Sequence, residues 1–136
     1  MDEEPKEQAE QSEPGIVEQT FARGEEFESL YANNVTLEAT GLDLKLVFGE
    51  IDLRKQLVEQ HTAITIPWVM AKILSYYLGI FIAQHEAQAG KVMIPVSALP
   101  PLIPIPDGAT PKMRAVYELA QDLHHKLVAD VAIVTP

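Results

Sequence analysis

The chain has 136 residues, 47% of them hydrophobic, with four histidines and no cysteine. That length and composition suit one globular domain and lie far from the disordered class, and the missing cysteines exclude disulfides, thiol nucleophiles and thiolate metal sites. The formal net charge is −10, and residues 1–28 carry most of it, with ten acids against Lys6 and Arg23; no basic surface is left to displace counterions from nucleic acid or to hold an anionic membrane.

Residues 1–26 read as a disordered acidic arm, because Glu, Gln and Pro dominate and too few apolar side chains are present to offset the entropy of ordering. Ile16, Val17 and Phe21 are its only candidate anchors for a partner. A secretory signal needs a basic start and an apolar run. This acidic opening has neither, so a cytoplasmic location is expected.

Residues 27–136 are expected to form a single α+β domain. Residues 27–90 would be an antiparallel sheet of about three strands packed by a long helix, 91–110 a proline-rich apolar segment, and 111–136 a second, C-terminal helix with its tail. Tyr31, Asn33, Val35, Leu37 and Ala39 alternate with Ala32, Asn34, Thr36 and Glu38. After Thr40-Gly41-Leu42-Asp43, Leu44, Leu46 and Phe48 alternate with Lys45, Val47 and Gly49. Period-two patterning around a glycine-containing interruption predicts a hairpin. A loop over Thr40–Asp43 sets Glu38 opposite Lys45, Leu37 opposite Leu46 and Val35 opposite Phe48. A shorter loop would oppose Glu38 to Asp43, which like charges disfavour. Residues 51–59 are compatible with loop, helical turn or strand. His61–Ile66 is β-branched and predicts a third strand, and Pro67 stands where a first helical residue is favoured.

Trp68–Ala89 predicts the main helix, closed by Gly90. Val69, Met70, Ile73, Leu74, Tyr76, Tyr77, Ile80 and Phe81 cover about half its circumference, against the roughly 100° stripe that a surface helix needs. The surplus calls for a second surface, either the C-terminal segment or another copy of the chain. Membrane insertion is not expected: the apolar run Ile66–Ala83 is short of the about 20 residues a span needs, starts beside Pro67 and carries Lys72 near its middle. Prolines at 95, 100, 101, 104 and 106 predict extended chain lying on the protein body. Pro111–Val128 predicts the second helix, with Thr110 as N-cap and an apolar stripe of Met113, Val116, Tyr117, Ala120, Leu123, Leu127 and Val128. The β-prone Val131–Val134 could add an edge strand.

No phosphate-binding glycine loop or nucleophile elbow is present. His124 and His125 are adjacent, so on a helix they point about 100° apart and cannot chelate together. Glu118, Asp122 and His125 share a face that could hold a divalent ion with help from elsewhere, and a solvated helix face accounts for them equally well. His85 beside Glu86 fits an interaction with terminal carbonyls. Asp43, Glu50 and Asp52 read as turn and edge acids that keep a sheet soluble. No catalytic residue, cofactor or metal is expected, and the chain is not expected to be an enzyme.

Leu30-Tyr31-Ala32-Asn33-Asn34-Val35, followed by Asp43-Leu44-Lys45-Leu46-Val47-Phe48-Gly49-Glu50-Ile51 and the helix entry Ile66-Pro67-Trp68-Val69-Met70-Ala71-Lys72, resembles a small prokaryotic family of uncharacterised domains, the domain-of-unknown-function family three-four-six-seven. Its pattern is an aromatic-x-Asn-x-hydrophobic strand, a second strand ending in Asp-Phe-Gly, a third strand, and a proline leading into a helix. The resemblance covers residues 29–90, with Val47 in place of the Asp. It implies the strand–strand–strand–helix order and no particular activity.

These features point to a protein–protein interaction, structural or adaptor module, self-associating as a homodimer or held in a hetero-complex. The expected contact surface is Trp68, Val69, Ile73, Tyr76, Tyr77, Ile80 and Phe81 on the helix with Leu99, Leu102 and Ile103 on the proline-rich segment. A chaperone-like holder of extended apolar peptides is the alternative, and an enzyme with an unrecognised pocket the third.

Overall fold

The computed structural model describes residues 18–131; most of the expected acidic arm, with Ile16 and Val17, and most of the expected Val131–Val134 strand lie outside them. The fold is α+β, with β1 (Asn34–Ala39), β2 (Asp43–Asp52), β3 (Leu57–Pro67), α1 (Trp68–Ala89) and, after a short 3-10 turn at Val96–Ala98, α2 (Pro111–Val128). The strands form one antiparallel sheet in the order β1-β2-β3. The 3-10 turn interrupts a segment expected to be extended throughout; one residue behind Pro95, a single i→i+3 turn needs no amide from a proline.

The first hairpin has the register that charge opposition predicts: Glu38 faces Lys45, Leu37 faces Leu46 and Val35 faces Phe48. The Glu38–Lys45 ion pair is 3.3 Å long and exposed, so it marks register and adds little stability. Thr40 holds the turn. Its Oγ1 accepts from the backbone N–H of Leu42 (3.1 Å) and of Asp43 (3.0 Å), and donates to Asp43 Oδ1 at 2.7 Å. Thr40→Val keeps the shape and removes every hydrogen bond of this hydroxyl, so a loss of about 1–2 kcal/mol is expected. A urea midpoint equal to that of the unchanged chain would show that water replaces them.

The ambiguous residues 51–59 resolve into strand ends around a tight loop. β2 runs to Asp52 and β3 starts at Leu57. Asp52 Oδ1 accepts from Arg54 N–H (2.9 Å) and Lys55 N–H (3.3 Å), and Gln56 takes a left-handed φ of 49°. Such side-chain-capped turns are local devices that period counting does not see.

Directly opposed residues share a face, so Val35, Leu37, Leu44, Leu46, Phe48, Ile64 and Ile66 form one apolar side of the sheet. α1 lies over this side. The other side is polar, yet it holds Val47, the one buried hydrophobic among the described residues. Gln60 Nε2 donates to Thr36 Oγ1 (3.2 Å) across the strand that carries Val47 and the side-chain-free Gly49.

α1 begins and ends where the sequence predicts. Pro67 precedes it in an extended conformation, and Gly90 follows at φ 89°, donating its N–H to the Glu86 carbonyl. Closure thus comes from glycine and from the Glu86 side chain, which accepts from Val92 N–H (3.1 Å), in place of the role expected of His85. α2 is capped as expected, Thr110 accepting from Met113 N–H at 3.3 Å. α2 packs against neither the sheet nor α1 to any extent. It is tied to the strap before it: His124 Nε2 meets the Pro100 carbonyl (2.8 Å), Ile94 N–H donates to the Asp130 carbonyl (2.8 Å), and Ile94 pairs with Val131 in a parallel bridge. Lys91 pairs with Asp130, whose carboxylate raises the lysine above its ordinary value. With the folded value raised, that contribution is present below about pH 10.5 and lost as pH rises through the folded value.

Candidate interaction surface

The first of two sites on this fold is architectural. At Phe48 the pairing of β2 with β3 slips by one residue: Phe48 faces Thr62, Gly49 faces Gln60, and His61 is the extra residue of a β-bulge. A bulged strand leaves backbone groups without their regular partners, and nearby side chains take them up. His61 Nε2 lies 2.9 Å from the Tyr31 carbonyl and Nδ1 2.8 Å from Thr62 Oγ1. A carbonyl can only accept, so Nε2 carries the proton and Nδ1 accepts from the hydroxyl. Asn33 donates its N–H to the Gly49 carbonyl (3.1 Å), and its Oδ1 accepts from Ile51 N–H (2.8 Å). At Gly49 the Glu59 carbonyl comes within 2.6 Å of where a Cβ would stand. Tyr31, Asn33, Phe48 and Gly49 therefore converge on one bulge and clamp the chain that enters β1. Asn34 Oδ1, buried beside them, has no hydrogen-bond partner, and nothing in the structure explains it.

The second site is the space between α1 and the sheet. A helix with apolar residues on every side is normally covered on every side, but none of the 22 residues of α1 is buried. On one flank, a groove of about 730 Å³ separates Val35, Leu37, Leu44, Leu46 and Phe48 of the sheet from Ala71, Leu74, Ser75, Leu78, Gly79 and Ile82 of the helix. On the other, a hollow of about 260 Å³ lies between Leu46, Phe48, Ile64, Ile66 and the helix residues Met70 and Leu74. Leu46, Phe48 and Leu74 line both. Ser75 and Gly79, which lie outside the apolar set the sequence marks on α1, border the groove, and Pro67 joins β3 directly to the helix.

The expected contact residues divide accordingly. Val69, Ile73, Tyr76, Tyr77 and Phe81 are exposed along the helix, Val69 at 73%. Ile80 is half-buried. Trp68 is 44% exposed, but its indole N–H donates to the Thr40 carbonyl (3.1 Å), so it also pins the helix start to the first hairpin. Leu102 and Ile103 are exposed and Leu99 is half-buried in the strap. Leu102 borders Gln121, Asp122 and Val128 of α2. Sequence reading missed the sheet's contribution: Leu37, Leu46 and Phe48, on a sheet expected to be packed by the long helix, line an open groove.

Exposure of this extent is unusual for a chain of this size. A compact monomer of 15 kDa exposes about 7,000 Å², whereas this chain exposes 13127 Å². An extended stretch as long as the 22 residues outside the described range would account for only about 3,500 Å² of that.

Among the described residues no cluster of three or more His, Asp or Glu side chains is arranged to hold a metal, so Glu118, Asp122 and His125 do not converge on one, and His124 is occupied by Pro100. No helix among them is long and apolar enough to cross a membrane. Comparisons with family models, with curated proteins and with solved structures found no match.

Proposed function

We propose that this chain is a non-enzymatic protein–protein interaction module that self-associates and serves as a structural or adaptor component, with cytoplasmic location in keeping with its lack of cysteine. One observation carries the reading. The 22-residue helix α1 is apolar over far more than the stripe a surface helix needs, nine of its large apolar side chains are exposed, and none of its residues is buried. Leaving such a surface in water costs about 25 cal/mol per Å², and association removes it. The groove beside the helix supplies the concave half of an interface.

Self-association makes stability depend on concentration, because the assembled state is favoured by mass action. Light scattering is expected to give a mass of at least twice 15.0 kDa at micromolar concentrations, with a Tm that rises over a hundredfold concentration series. A constant monomer mass with a constant Tm would overturn the reading.

A second reading has its own support. β1 and β3 are both edge strands, and an apolar groove beside an open edge suits capture of an extended peptide by strand addition. Strong binding of a hydrophobic dye by the folded chain at assembly concentrations would favour such a holder, and weak binding a closed assembly.

A further inference from the structure

The groove over β1 and β2 borders a flank of α1 whose composition is its own complement. Lys72 and Glu86 are the only Lys, Arg, Asp or Glu on the helix, and each stands seven residues from Gly79 on the same side. They are 14 residues, about 21 Å, apart along the axis, so they cannot meet within one helix. Between the rows Lys72–Tyr76–Ile80 and Leu78–Ile82–Glu86 runs a row with spacing four, Ala71, Ser75, Gly79, Ala83 and Ala87, again centred on Gly79. Rows four apart are the ridges and furrows by which helices pack, and a furrow of small side chains allows axes to approach to about 8 Å. Ala71, Ser75 and Gly79 of this row line the groove.

We propose that this groove is closed by α1 of a second copy, running antiparallel to the first about a two-fold axis at Gly79. The arrangement rests on the self-association reading and specifies it. It sets Lys72 of each copy beside the partner's Glu86, twice, while a parallel pair would set like charges together. It places Ala71 against the partner's Ala87 and Ser75 against the partner's Ala83, and it roofs the apolar residues of β1 and β2. Lys72 makes no ion pair among the described residues. Glu86 spends Oε1 on Val92 N–H, which leaves Oε2 to accept. Lys91, the other cation near Glu86, is held by Asp130. A stable dimer hides about 800 Å² per partner, less than the surface this chain exposes beyond a compact monomer.

Gly79 provides a clean test, because a Cβ there meets nothing within 4 Å and leucine has a higher helix propensity than glycine. Gly79→Leu in the full chain is expected to weaken self-association at least 100-fold by sedimentation equilibrium while helicity is kept. Lys72→Glu and Glu86→Lys should each weaken it about tenfold, and the double reversal should restore it. The chain has no cysteine of its own. Gly79→Cys should therefore form an inter-chain disulfide under mild oxidation, and Ala71→Cys should not, since the two copies of residue 71 lie at opposite ends of an antiparallel pair. A Gly79→Leu chain that associates normally, or ready crosslinking through Ala71→Cys, would overturn this geometry and leave self-association standing. A chain that is monomeric without any substitution would remove both.

Discussion

Leu46→Asp is expected to give a folded chain that no longer associates. Leu46 sits at the middle of β2, half-buried, and lines the hollows on both flanks of α1. In a single chain those hollows are open, so a carboxylate there stays hydrated and costs little. In an assembly that closes them, the same carboxylate would be stripped of water among apolar side chains, at a cost of several kcal/mol. Association should weaken at least 100-fold, equivalent to about 2.8 kcal/mol, and the concentration dependence of Tm should vanish. Leu42→Asp adds the same charge in the β1–β2 loop, where Leu42 is 87% exposed, and should leave the mass unchanged. If Leu46→Asp associates like the unchanged chain, the groove is not the contact.

Gly49→Ala tests the scaffold beneath that surface. A methyl at residue 49 would stand 2.6 Å from the Glu59 carbonyl oxygen and 3.1 Å from Gln60 Cα. Both are backbone of the bulged strand, which cannot swing aside as the end of a side chain can. Forcing a methyl into such a site costs about 1–3 kcal/mol. The expected result is a lower urea midpoint, with hydrogen exchange accelerated first in Leu57–Gln60, the segment below the bulge. Gly41→Ala, where a Cβ meets nothing within 4 Å, should change stability by less than about 0.5 kcal/mol. Equal stability of the two variants would mean that the bulge relaxes and that glycine at residue 49 is dispensable.

The two substitutions separate assembly from folding. Leu46→Asp removes a partner and leaves Thr40, Asn33 and His61 holding the sheet; Gly49→Ala loosens the sheet and weakens association only as a consequence. A module that works by contact should lose function with either, but only the second should lose secondary structure in dilute solution.

Much of the fold was legible because its causes are local. Alternation from Val35 to Phe48 determined the strands, and the opposition of Glu38 to Lys45 determined their register. Gly90 and Thr110 marked helix ends by backbone geometry and capping, which need only a few neighbouring residues. The apolar excess on α1 was also visible, since a wheel requires nothing beyond the helical period. Other features depend on contacts between distant segments. No periodicity reveals that His61 is an extra residue in β3, because the bulge exists only relative to Phe48 and Gly49 across the ladder. The roles of Tyr31 and Asn33 follow from that bulge.

Composition and periodicity are enough to specify an α+β chain with three strands, two capped helices and more apolar surface than one sheet can cover. The tertiary structure alone decided that the uncovered surface is a groove shared by sheet and helix, bordered by Ala71, Ser75 and Gly79. The physical reason is that helix and strand patterns specify which side chains share a face, while the angle at which α1 leaves Pro67, and the commitment of the strap to α2, decide which faces meet.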